Sequence, residues 1–106
     1  MIKTVILAVK DIDAAKNLYG KLLGVAPVMD QKYYVQYNIG DQEIGLDPSG
    51  TAAGIYWKVS DIRTALKSLV EAGAEKKQDV TEVGGGRLIA RVADGSGNTI
   101  GLLQTA

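Results

Sequence analysis

The sequence predicts an α+β domain in which one unit, strand–helix–strand–strand–strand, is used twice in tandem. Three observations predict it. Val9-Lys10-Asp11-Ile12 recurs as Val59-Ser60-Asp61-Ile62 at an offset of 50 residues, and Ala15 falls on Ala65 at the same offset. Each of these stretches follows a run rich in β-branched residues and opens a segment with helical apolar spacing. Ile44-Gly45-Leu46 recurs as Ile100-Gly101-Leu102 at an offset of 56, the surplus being absorbed by longer turns. Two units are too few for a solenoid. One helix per unit covers one face of a small twisted sheet, so the opposite faces must meet each other or enclose something.

Each element has its own local signal. Met1 to Val9 alternates loosely and reads as a strand; it lacks the cleavage pattern of a signal peptide. Asp11 is an N-cap, and Ile12, Ala15, Leu18, Tyr19, Leu22 and Leu23 recur at helical spacing up to the C-cap Gly24. Gly20 inside that helix costs about 1 kcal/mol against alanine, so a close packing contact is expected there. "APVMD" and "KYYVQYNIG" are strand candidates, Gly40-Asp41 is a turn, and "QEIGLD" is the next strand. "PSGTAAG", from Pro48 to Gly54, is the linker candidate, dividing module one (1–47) from module two (54–106). There "GIYWKV" reads as a strand, Asp61 caps a helix with Ile62, Ala65, Leu66, Leu69 and Val70 on one face, and Gly73 ends it. "AEKKQDVTEV" reads as a polar edge strand or loop. The hairpin turn at Gly84 to Gly86 then leads to the strands "RLIARVA" and "TIGLLQ".

Composition narrows the chemistry. The 106 residues suit one domain, and 12 basic against 12 acidic residues leave no net charge to attract nucleic acid or an anionic membrane. No segment approaches the ~18 apolar residues of a membrane span. A cytoplasmic location is the default expectation. The chain has no cysteine and no histidine. Thiolate chemistry and the serine–histidine and cysteine–histidine nucleophile systems are excluded, and with them the commonest nitrogen ligand for transition metals.

The order and spacing of these motifs resemble the vicinal oxygen chelate superfamily of glyoxalase I, extradiol dioxygenases and bleomycin-resistance proteins. The matching residues are "VKDIDAAKNLYGKLLG" at the head of the first unit, "VSDIRTALKSLVEAGA" at the head of the second, and "DGSGNTIGL" where many members close on "DPDGN.IEL". The resemblance covers nearly the whole chain. It implies two βαβββ modules forming a curved mixed sheet around a cavity, often completed across a homodimer, so a second copy of the chain is an expected partner. Enzymes of that family keep metal ligands at four strand positions. The corresponding residues here are Thr4, Gly45, Gly54 and Gly101. Glycine offers no donor and a lone threonine is a poor ligand, so no metal and no cofactor are expected.

Alternation then lays out the cavity face. Ile6 accompanies Thr4; Tyr56 and Lys58 accompany Gly54; Glu43 and Asp47 flank Gly45. The face is expected to be open at its centre. Strand glycines of this kind either permit bulges and twist or mark close approach of a ligand or another backbone. Tyr33 and Tyr37 share one face of their strand and Tyr34 the other; core filling and a stacking wall for a flat ligand are both open readings, with Tyr37 taken for the wall. Trp57 is expected in the core beneath the second helix. Glu43 and Asp47 read first as solvated turn-proximal charges and only second as an acid–base pair. Arg87 and Arg91 share a face and are expected to meet water, with an anionic ligand or a carboxylate as alternatives.

Three functions follow. The leading one is a metal-free protein that holds a small organic molecule through Thr4, Ile6, Tyr37, Glu43, Gly45, Gly54, Tyr56, Lys58, Arg91 and Gly101, in the manner of antibiotic-sequestering resistance proteins. The second is a lyase or dioxygenase of the same superfamily with atypical site residues. The third is a structural partner protein with a filled cavity.

Overall fold

The structure is a computed structural model describing residues 1–106. It consists of two compact units, one of Lys3–Gly54 and one of Met1–Ile2 with Ile55–Ala106.

The first unit is built from β1 (Ile2–Ala8), α1 (Ile12–Leu23), β2 (Met29–Gln31), β3 (Tyr34–Ile39) and β4 (Gln42–Asp47). Asp11 has extended backbone, and its Oδ1 accepts from the N–H groups of Asp13 and Ala14, both at 3.1 Å, which starts α1. Gly24, at φ 71°, ends it in the left-handed conformation. The two-residue turn at Gly40-Asp41 pairs β3 antiparallel with β4 in the register Gln36↔Gly45. β1 lies parallel to β4 with Thr4 opposite Glu43 and Ile6 opposite Gly45. β2 pairs with β3, so the local strand order is β2-β3-β4-β1. Helix α1 closes a core of Val35, Tyr37 and Leu46, with Ile12, Ala15, Tyr19 and Leu23 packed against it.

The second unit repeats the plan with β5 (Gly54–Lys58), α2 (Ile62–Glu71), β6 (Glu75–Glu82), β7 (Leu88–Ala93) and β8 (Thr99–Gln104). Its strand order is β5-β8-β7-β6, with β5 parallel to β8 and the other pairs antiparallel. The main-chain N–H of Lys58 donates to the Met1 carbonyl at 2.8 Å, which is why the first two residues group with this unit. Asp61 caps α2 through the N–H and hydroxyl of Thr64. The core is Ile62, Leu66, Ala90, Val92 and Leu102. The polar segment 75–82 is an edge strand whose register slips on either side of Gln78.

Trp57 departs from expectation. It is 40% exposed, as is Ile55. Both stand on the helix side of β5, but α2 packs on β6, β7 and β8, and its ten residues do not reach across β5.

Candidate functional site

The face of each sheet turned away from its helix carries the residues the sequence singles out. In the first unit, Thr4 and Ile6 of β1 stand beside Glu43, Gly45 and Asp47 of β4, with Tyr34, Gln36 and Asn38 of β3 next to them. In the second, Gly54, Tyr56 and Lys58 of β5 share a face with Gly101 of β8 and Arg91 of β7. Both central glycines are covered. A Cβ at Gly45 would lie 2.7 Å from Cζ and 2.8 Å from Cε1 of Tyr34, and closer still to the phenol oxygen. A Cβ at Gly101 would lie 2.6 Å from Cδ2 and 2.8 Å from Cγ of Tyr56, and 2.9 Å from the Ile55 carbonyl oxygen. The expected open centre is thus filled on each sheet by a tyrosine ring laid over the glycine backbone, a pairing that gives a strand glycine the side-chain cover it lacks.

Tyr37 lies elsewhere. It is fully buried in the core beneath α1, and its hydroxyl donates to the Lys16 carbonyl at 2.8 Å. Burial raises its pKa, an effect moderated by nearby Lys16 and reinforced by Asp30. Its assignment to a ligand wall is therefore corrected. The odd-numbered positions of β3 point to the helix, and Tyr34 is the tyrosine on the glycine face. Tyr33 precedes the strand and is 70% exposed.

The carboxylates also differ from expectation. Glu43 is 6% exposed and Asp47 5%. The Thr4 hydroxyl donates to Oε1 of Glu43 at 2.7 Å, and Lys3 Nζ lies 3.9 Å from Oε2. A carboxylate leaves water only where such partners replace its hydration. At Asp47, burial works to raise the pKa. It is outweighed by hydrogen bonds from the Ala52 N–H and from the hydroxyl and N–H of Ser49, so the carboxyl is held below its ordinary value. Asp47 therefore organises the turn after β4 and is not paired with Glu43 for proton transfer.

Arg91 is half-buried, and its Nε donates to Oε1 of Gln78 at 2.9 Å. The register slips on either side of Gln78, which with Val80 is one of the two half-buried residues of an otherwise exposed strand. On β3 a directional row runs from the Tyr34 hydroxyl to Gln36 Oε1 at 3.1 Å and from Gln36 Nε2 to Asn38 Oδ1 at 3.0 Å. Tyr34, Gln36 and Gln78 were missed by reading alternation within single strands. The two-residue turn at Gly40-Asp41 carries the missing signal, because it fixes Gln36 opposite Gly45 and puts Tyr34 on the same face. Nowhere do three His, Cys, Asp or Glu side chains converge in an arrangement able to hold a metal ion.

The sequence matches the Glyoxalase/Bleomycin resistance protein/Dioxygenase superfamily over residues 1–102. The chain belongs to that superfamily. Among solved structures, a hypothetical protein from Bacillus halodurans superposes with a TM-score of 0.81 at 15% identity, covering 100% of this chain and 94% of that one. The methylmalonyl-CoA epimerase of Mycobacterium tuberculosis gives 0.75 at 18% identity, covering 99% and 87%. A superfamily member from Vibrio splendidus gives 0.70 at 17% identity over 100% of both chains. At these identities the likeness is one of fold. No curated protein matches the chain. Membership of the glyoxalase superfamily accounts for the two βαβββ units and their mixture of parallel and antiparallel strand pairs, and no helix is long and apolar enough to cross a membrane.

Proposed function

We propose that this glyoxalase-superfamily chain is a metal-free protein that binds a small organic molecule against the glycine face of one or the other of its units. One observation carries the reading. By the resemblance, the positions that correspond to the ligands of metal-binding members are Thr4, Gly45, Gly54 and Gly101, and the space beside Gly45 and Gly101 is taken by the rings of Tyr34 and Tyr56. A divalent cation needs several oxygen or nitrogen donors at once. Three of these positions offer none, and the Thr4 hydroxyl is committed to Glu43. The donor set does not fit a metal.

What the faces offer in its place is aromatic area and a few directed polar groups, the usual make-up of a small-molecule site. On the first unit Tyr34 and Ile6 supply apolar surface, with Glu43 and Gln36 for orientation; on the second Tyr56 supplies apolar surface, with Lys58 and Arg91 for orientation and Arg91 braced by Gln78. Antibiotic sequestration is one use of such a site, a second copy of the chain is the expected macromolecular partner, and the cytoplasm is the expected location. The test is a thermal-shift screen of aromatic and antibiotic-like compounds against metal-stripped protein. A binder raises the melting temperature by an amount that grows with ligand concentration. A chain with a filled interior responds to no compound, and that outcome would abandon the reading.

A catalytic reading has one observation in its favour. Glu43 is a buried carboxylate on the glycine face, hydrogen-bonded to Thr4, and such a group can exchange a proton with a bound substrate. Glu43→Gln separates the two. A binder keeps its ligand with altered affinity; an enzyme binds and no longer turns over.

A further inference from the structure

The charges of α2 run against its dipole. A helix is stabilised by acidic groups in its first turn and basic groups in its last. Beyond its cap Asp61, α2 has neither. Arg63 stands in the first turn, and Glu71 is the last residue. Arg63 and Lys67 are also like charges one turn apart, a spacing that weakens a helix. Arg63 lies within electrostatic reach of Asp61 and Asp79, yet neither Arg63 nor Lys67 forms an ion pair within the chain. The helix thus holds two exposed cations where folding alone gains nothing from them.

Both cations border a cleft. A cavity of about 330 Å³ lies between α2 and β6, on the side of the second unit away from its glycine face. Its floor is apolar, made by Leu66, Val70 and Val80. Leu66 is buried, Val80 packs on the margin of the core, and Val70 is left 42% exposed. The irregularity of β6 shapes this floor. Gln78 opposite Arg91 and Thr81 opposite Ile89 both lie on the glycine face, so the span between them holds two residues where strict alternation allows one. Those two, Asp79 and Val80, both line the cleft. Asp79 holds Lys76 in an ion pair at 3.2 Å. Arg63, Lys67 and Glu71 remain as the unpaired charges of the rim, and their sum is positive.

We propose that the cleft between α2 and β6 binds a small amphipathic carboxylate, its hydrocarbon chain lying on Leu66, Val70 and Val80 and its head group held by Arg63 and Lys67. An apolar floor with a few placed polar groups is the usual make-up of a small-molecule site. The charge of the rim selects a monoanion. A carboxylate beside Arg63 and Lys67 relieves their mutual repulsion and stands at the positive end of the helix dipole. Arg63 offers a carboxylate a planar fork of donors, and Lys67 a mobile point charge that can follow the head group. The hydrocarbon chain covers the part of Val70 that the fold leaves in water. This cleft is separate from the glycine faces, so its failure would leave the ligand reading standing, and the reverse holds too.

Titration of the chain with decanoate, kept below its micelle concentration and followed by calorimetry and amide NMR shifts, tests it. The expected result is saturable binding of one decanoate per chain that moves the amides of α2 and β6 and leaves those of the glycine faces in place. Decanol, with the same chain and no charge, should bind about tenfold more weakly or worse. Arg63→Gln with Lys67→Gln should weaken decanoate by about tenfold or more, with the circular dichroism of the folded chain retained, since both side chains are exposed. Arg63→Glu with Lys67→Glu is the second variant. It should reverse the preference, so that decylammonium binds better than decanoate, an outcome that misfolding does not produce. Lys21→Gln, on the first unit, should leave the affinity unchanged. Absence of saturable binding overturns the proposal. So does decanol binding as tightly as decanoate, an affinity that the α2 variants leave unchanged, or adsorption to vesicles of anionic lipid with no binding of monomeric decanoate, which would make the cations a membrane contact.

Discussion

A Cβ at position 45 or 101 would share space with a tyrosine ring, and that is the physical reason for glycine in the middle of both Ile-Gly-Leu strands. Rings held by neighbouring strands have little room to yield. Gly45→Ala and Gly101→Ala are therefore overpacking substitutions expected to cost about 1–3 kcal/mol each in urea unfolding. Adding Tyr34→Ala to Gly45→Ala should return part of that cost, giving a coupling of roughly 0.5–3 kcal/mol. Additivity of the two changes would show that ring and glycine do not interact. Asp47 makes a pH prediction. Its folded pKa is depressed below the ordinary value of 3.8, so the unfolded chain takes up the proton first. The stabilisation is complete well above pH 3.8 and is lost as pH falls below that value through the folded pKa. In Asp47→Asn, the urea midpoint should fall less between neutral pH and the acid limb than in wild type. Equal pH dependence in the two proteins would contradict the assignment.

At the scale of elements, α1 is tied to β3 by one polar contact inside an apolar layer, the Tyr37 hydroxyl on the Lys16 carbonyl. Tyr37→Phe removes it while keeping the ring and should cost about 1 kcal/mol, measured by denaturant unfolding. The same residue marks the limit of reading strands one at a time. Alternation correctly put Tyr34 and Tyr37 on opposite faces of β3, but it could not say which face the helix covers. That follows from the register with β4, whose Leu46 pairs with Val35 in the core. The helices themselves were legible from their caps. Asp11, Gly24 and Asp61 stand where short-range hydrogen bonds and left-handed backbone require them. Trp57 was not legible in this way, because its exposure depends on how far α2 reaches across its sheet, and single-strand periodicity carries no such distance. The carboxylates went astray for a related reason. Closeness to a turn suggests water, yet Thr4 and Ser49 supply the partners that let Glu43 and Asp47 be buried.

For the whole molecule, the duplicated βαβββ plan could be read from repeated motifs because repetition is a property of the sequence itself. What the two faces recognise could not, since it depends on which rings lie over which backbone. The account's central claim is that these faces bind through shape, aromatic area and a few fixed polar groups, with no cation. The most direct measurement is metal analysis of the chain after exposure to zinc, nickel, iron and manganese and then exhaustive dialysis, run on wild type beside Thr4→Ala and Glu43→Gln. The account predicts far less than one metal atom per chain in all three proteins. One atom per wild-type chain that survives dialysis and is lost from either variant would contradict it.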